Sequence, residues 1–164
     1  MAHYGSEGGF EAYCLRLGYT VSPGEVDPAL ERATAYLDGH YGARYPGVPT
    51  GGYSQELGWP RTGVTDCRGY PVPSDVVPKE IENATYEATR RELTTPGGLN
   101  PDVITGQIKK SVSVEGAVSV TYADPEGGAV AAQQPVVTQI DSMLACLLGG
   151  AVSGRTVTKW LNRA

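Results

Sequence analysis

Apolar residues recur at helical spacing in three stretches of the chain and alternate in a fourth. Leu30, Ala33 and Leu37 line one side of a helix, with Ala29 and Tyr36 flanking that face. Asp27 is placed to cap this helix and Pro28 to stand at its first position, where a missing N–H costs nothing. Glu31 suits the positive end of the helix dipole, and Gly39 or Gly42 stops the run. A second helix opens with Pro78 and runs to about Leu93. Its stripe of Ile81, Ala84 and Ala88 is thin, with Tyr86 and Leu93 outside it. Val136, Ile140, Met143, Leu144 and Leu147 give the strongest helical stripe, ended by Gly149-Gly150. Phe10, Tyr13, Leu15, Leu17 and Tyr19 fit either period, and we read a short helix over Gly9–Leu17.

Residues Gln107 to Tyr122 alternate strictly. Ile108, Val112, Val114, Val118, Val120 and Tyr122 share one parity, while Lys109, Ser111, Ser113, Glu115, Ser119 and Thr121 share the other. That is a half-buried hairpin, and parity fixes its turn. A two-residue turn at Glu115-Gly116 sets valines opposite serines, whereas a three-residue loop or bulge near Gly116 pairs Val114 with Val118 and Val112 with Val120. Two strands alone are marginal in water, so the ribbon is expected to project onto another subunit, a partner or a third strand.

Between the first two clear helices, residues 42–77 are dense in glycine and proline, yet they hold Tyr45, Tyr53, Trp59 and Tyr70. Disordered segments are poor in aromatics, so this long loop is expected to be pinned to a surface. Residues 124–135 read as a linker and 151–164 as an extended arm with Trp160 as its anchor. The pattern defines a mainly α fold: a small helical bundle with a projecting β-hairpin, a long Gly/Pro-rich loop and an extended C-terminal arm. Residues 1–150 form one domain and 151–164 the arm.

Composition supports a small core with long loops: 22 glycines and 12 prolines among 164 residues, about a fifth of the chain. No apolar run is long enough for a transmembrane helix, and no secretory signal is visible, so the chain is expected to be made in the cytoplasm without a membrane partner. The net charge is −5. It falls on residues 1–100, with 8 basic and 13 acidic side chains, while 101–164 carry 5 of each. An acidic body does not suit sequence-independent binding to a phosphate backbone. The last ten residues hold Arg155, Lys159 and Arg163 and no carboxylate. Cys14, Cys67 and Cys146 are odd in number and lack CxxC spacing, which reads as three reduced thiols.

Candidate chemistry is sparse. There is no P-loop, HExxH or GxSxG, and His3 and His40 stand apart, at a terminus and a helix end. Glu56, Asp66 and Asp75 read as solvated or capping loop carboxylates. The expectation is a protein with no enzymatic activity, no metal and no cofactor. Trp59-Pro60-Arg61-Thr62-Gly63 is the most distinctive segment, because Trp and Arg dominate interface hot spots. Trp59 either covers the subunit's own core or contacts a neighbour. Stacking on single-stranded bases would use similar residues, but in more basic surroundings.

Three groups of residues, in this order, resemble a known family. They are the run 29–38 (ALERATAYLD), Gln55-Glu56-Leu57-Gly58-Trp59-Pro60-Arg61-Thr62-Gly63 followed by Asp66 and Gly69, and Val77-Pro78 opening a helix with Ala84, Tyr86 and Glu87. The family is that of tailed-phage head–tail connector (adaptor) proteins, whose members often carry the label DnaT-like single-stranded-DNA-binding protein. The resemblance spans about residues 5–122. It implies a homo-oligomeric ring, usually of twelve, beneath the portal protein in the neck of a virion. Such a ring offers a platform to a downstream neck or tail protein and passes double-stranded DNA without reading its sequence. Trp59, Pro60, Arg61 and Gly63 would then be inter-subunit contacts or loop anchors. The hairpin valines Val112, Val114, Val118 and Val120, and Arg155, Lys159 and Trp160 of the arm, would dock the portal or another partner. A single-stranded nucleic-acid-binding accessory protein is the alternative.

Overall fold

Ser6 and Gly18 set the limits of the first helix in the computed structural model. The Ser6 hydroxyl accepts from the Gly9 N–H at 3.2 Å, so α1 (Glu7–Leu17) starts two residues earlier than the apolar pattern suggests. Gly18, at φ 69°, turns its N–H back to the carbonyls of Cys14 and Leu15 and closes the helix. The structure describes residues 2–21, 24–100, 111–114, 118–121 and 137–148, the last pair of strands by their backbone alone.

Helix α2 (Val26–Tyr41) carries the expected buried face of Ala29, Leu30, Ala33 and Leu37. Asp27 is not its cap. It lies inside the first turn, and its carboxylate meets His3 Nε2 at 3.0 Å. Gly39 does not stop the helix, and Gly42 keeps right-handed backbone angles into a 3-10 turn, Gly42–Arg44. The long loop then builds small structures of its own. Strands β1 (Val48–Pro49) and β2 (Arg61–Thr62) pair antiparallel around a second 3-10 turn, Gly52–Ser54. Thr65 and Pro71 form a further bridge.

Helix α3 (Lys79–Thr94) starts one residue after Pro78, which takes the cap position. It is more central than its thin stripe implies. It packs mainly on α2, then on α4 (Thr138–Leu144), and touches α1. Ile81, Ala84, Tyr86 and Ala88 are buried, and so are Thr85, Glu87, Thr89 and Glu92. The threonines satisfy themselves: Thr85 donates to the Ile81 carbonyl at 2.9 Å and Thr89 to that of Thr85 at 2.8 Å. Helix α4 is shorter than its apolar stripe. Beyond Leu144 the chain tightens, with the N–H groups of Leu147 and Leu148 both donating to the Leu144 carbonyl, yet Leu147 remains buried.

Helices α2, α3 and α4 and the loop share a core of Leu37, Tyr41, Trp59, Ile81, Ile140 and Leu144 with their neighbours. Phe10, Tyr13, Cys14, Leu30 and Tyr86 form a second cluster where α1 joins. Strands β3 (Ser111–Val114) and β4 (Val118–Thr121) form the hairpin, with Val114 opposite Val118 and Val112 opposite Val120. That is the register parity selected. The arm residues Arg155, Lys159 and Trp160 lie outside the described residues.

The reading of three free thiols is corrected. Cys67 and Cys146 are disulfide-bonded across 79 positions, and Cys14 alone is a free, buried thiol. Spacing carries no sign of this pair, because the loop and the end of α4 meet only through tertiary packing.

Candidate functional site

The distinctive loop segment is held by a polar network centred on Asp38. Tyr4 Oη donates to both Asp38 carboxylate oxygens, at 2.7 and 2.9 Å, and accepts from the Trp59 N–H at 3.0 Å. The Gly58 N–H donates to the same carboxylate at 2.8 Å. Burial, reinforced by the Asp38 charge, holds the Tyr4 hydroxyl far above the ordinary tyrosine range. Tyr45 is raised in the same way, first by burial and then by Asp38.

Trp59 is 1% exposed and lies edge-on to Tyr45, inside the subunit's own core. Pro60 follows it through a cis peptide bond. Arg61 is also buried, and its guanidinium ties the loop together through backbone carbonyls. Nε donates to Pro46 at 2.7 Å, Nη1 to Gly58 at 3.1 Å, and Nη2 to Gly47 at 2.7 Å and Tyr45 at 3.4 Å. Gly47 permits this closure, since a Cβ there would stand 2.2 Å from the Thr62 carbonyl oxygen. Gly63, at φ 75°, supplies the left-handed turn after β2. Gln55 adds bonds from its amide to the carbonyls of Leu57 and Pro60. Thus Gln55, Trp59, Pro60, Arg61 and Gly63 come together as the internal frame of the loop.

What the molecule presents outward lies elsewhere. Tyr53 is fully exposed and Leu15 is 83% exposed; Val48, Tyr70 and Val76 are also open. These residues sit on two different elements, the end of α1 and the long loop. A third surface is basic. On α3, the fully buried Glu87 receives Arg90 Nη2 at 2.6 Å and Arg91 Nε at 3.2 Å. Glu92, almost as deep, receives Arg32 at 3.1 Å and the N–H groups of Gly97 and Leu99. The two carboxylates are enclosed, while Arg32, Arg90 and Arg91 stay 50%, 27% and 38% exposed. The Glu87 hydrogen bond raises the Arg90 pKa further, and Arg90 lies 4.6 Å from the centre of the Tyr19 ring.

Sequence reasoning did not single out Arg90, Arg91 or their partner as a site. The signal was available: Glu87 stands three and four residues before them. Tyr4 and Asp38 gave none, because their meeting depends on how the N-terminal segment crosses α2. Among the described residues, no group of three or more His, Cys, Asp or Glu side chains could hold a metal ion. No helix among them is long and apolar enough to cross a membrane.

The fold and these surfaces define a small, mainly helical protein with an antiparallel hairpin and a self-braced loop. The chain belongs to the family described as "Putative DnaT-like ssDNA binding protein", whose model matches residues 3–164. No curated protein and no solved structure matches it.

Proposed function

We propose that the chain is a structural head-to-tail adaptor of a tailed phage or phage-like particle. It forms a ring beneath the portal, extends the DNA channel, and gives neck or tail proteins a place to dock. The observation behind this reading is the apolar surface left open on two separate elements, Leu15 on α1 and Tyr53 on the loop. A closed ring needs such a pair of different patches, one for each neighbour. The resemblance of its motif order to that of phage connectors supports it too. In this reading the hairpin and the arm meet the portal, while Trp59 and Arg61 brace the subunit from within.

Sedimentation of the purified protein, alone and with portal protein from the same particle, tests the proposal. Ring-sized species are the expected result, either alone or on the portal. Leu15→Asp and Tyr53→Asp should each abolish them with unchanged helix content. Truncation after Gly150 should remove portal binding and leave the fold intact. A wild-type protein that stays monomeric and ignores the portal overturns the reading.

A second reading, a single-stranded nucleic-acid-binding accessory protein, is the one the family description speaks to directly. The partly exposed side chains of Arg32, Arg90 and Arg91 favour it as well. The burial of Trp59 and Arg61 removes them as a stacking pair, so nucleic acid would have to engage another surface. A gel shift with a short oligonucleotide at low salt distinguishes this reading from the first.

A further inference from the structure

We propose that the cleft at the C-terminal end of α3 is a binding site for the phosphodiester backbone of single-stranded nucleic acid. The inference rests on the second reading above and supplies the site that reading lacks. The cleft has a volume of about 340 Å³, and Arg90, Arg91, Thr94, Thr95, Leu99 and Val137 line it. Its chemistry is that of a phosphate seat with an apolar floor. Arg90, Arg91, Thr94 and Thr95 give the polar lining, with the Thr94 hydroxyl donating to the Arg90 carbonyl at 2.9 Å, and Leu99 and Val137 offer a surface for the sugar or base.

Among the described residues, Glu87, Glu92 and Asp141 are each engaged, and Glu87 offsets one of the two arginine charges. Glu87 is fully buried beneath the two arginines. Glu92 is used by Arg32 and by backbone N–H groups. Asp141, on α4, accepts from Tyr41 Oη at 2.9 Å. Arg91 reaches Glu87 through Nε rather than through its terminal amino groups. Arg90 is held by Glu87 through Nε and Nη2 and stands 4.6 Å from the Tyr19 ring centre, and so is already ordered before a ligand arrives. The cleft therefore sets preorganised cations within residues 1–100, the part of the chain that carries the net charge of −5. That setting keeps binding weak and salt-sensitive.

The test is fluorescence anisotropy of a labelled oligo-dT with the full chain, across a salt series. Two guanidinium contacts predict a slope of about −1.4 in log affinity against log salt. The arginines cannot be removed cleanly, because Glu87 would be left buried without its partners. Thr95→Glu instead places a carboxylate on the exposed rim and leaves both ion pairs intact, and Thr62→Glu on β2 is the control. Thr95→Glu should weaken binding about fivefold at low salt, the effect of one nearby exposed charge, with Thr62→Glu close to wild type. If wild type binds and the two variants weaken it equally, the site is wrong and the nucleic-acid reading stands. If wild type does not bind at all, that reading falls with the site. Displacement of the oligonucleotide by an acidic peptide of equal charge at equal concentration also overturns the assignment, since the cleft would then be a general anion seat.

Discussion

Tyr4 and Asp38 are joined by a bifurcated hydrogen bond from one hydroxyl to both carboxylate oxygens, at 2.7 and 2.9 Å. The same hydroxyl accepts the Trp59 N–H, so one oxygen links the N-terminal segment, α2 and the loop. Tyr4→Phe keeps the ring in the core and removes that link. The Trp59 N–H and part of the Asp38 carboxylate then lose their partner in a buried setting, at a cost of about 1–3 kcal/mol. Urea unfolding measures it. A change below the error of that experiment would show that water replaces the hydroxyl.

Arg61 is held to the loop by geometry as much as by charge. Its planar fork serves four carbonyls at once, and a lysine ammonium on a flexible stem cannot reach the same set. Arg61→Lys should cost about 1–3 kcal/mol, because carbonyls are left unpaired at a buried site. Hydrogen exchange should quicken around residues 45–63 before the helices are affected. Global unfolding with no local step would place the loop in the same cooperative unit as α2 and α3.

The disulfide between Cys67 and Cys146 gives a third prediction. Closing a 79-residue span removes chain entropy worth up to about 4–5 kcal/mol from the unfolded state. Reduction, or Cys67→Ser with Cys146→Ser, should lower the melting temperature, and reductant should have no further effect on the double variant. Thiol titration under denaturing conditions checks the pairing itself: one reactive thiol is expected from the oxidised chain, that of Cys14.

Alkaline pH should unfold the protein through its buried tyrosines. Burial raises the Tyr13 hydroxyl from 10.0 to about 12, and Tyr4, Tyr41 and Tyr45 are raised too, in each case first by burial. A folded pKa above the unfolded one means that the native state holds the proton more tightly. The stabilisation is therefore complete below pH 10 and, for Tyr13, fades as pH climbs toward about 12. Phenolate absorbance and circular dichroism should change together over that window. Phenolate formation with the fold intact would mean that these hydroxyls reach solvent.

Much of this architecture was legible because one physical rule dominated locally. The face of α2 follows from Leu30, Ala33 and Leu37, and the hairpin register follows from the parity of four valines. The errors have a common cause in tertiary context. Asp27 could cap a helix in isolation, but Val26 joins the first turn and Asp27 turns to His3. Tyr86 lies off its own apolar stripe, yet α1 covers it through Phe10 and Tyr13. Trp59 and Arg61 have the composition of an interface hot spot, and composition does not say whether such a pair faces a neighbour or the subunit's own interior.

The buried Glu87 offers the last prediction. Its carboxylate is fully enclosed and depends on Arg90 and Arg91 for compensation. Arg90→Ala removes the shorter of the two contacts and leaves a buried charge half-paired, which should cost about 3 kcal/mol. Glu87→Gln removes the charge but keeps an acceptor for Arg90, and should cost nearer 1 kcal/mol. The two losses should not add: Arg90→Ala in the Glu87→Gln background should cost less than in wild type, because no anion is then stranded. A double-mutant cycle by urea unfolding gives the coupling directly. Strict additivity would mean that water reaches Glu87 once Arg90 is gone, and that the arginines are held at this surface for what they bind.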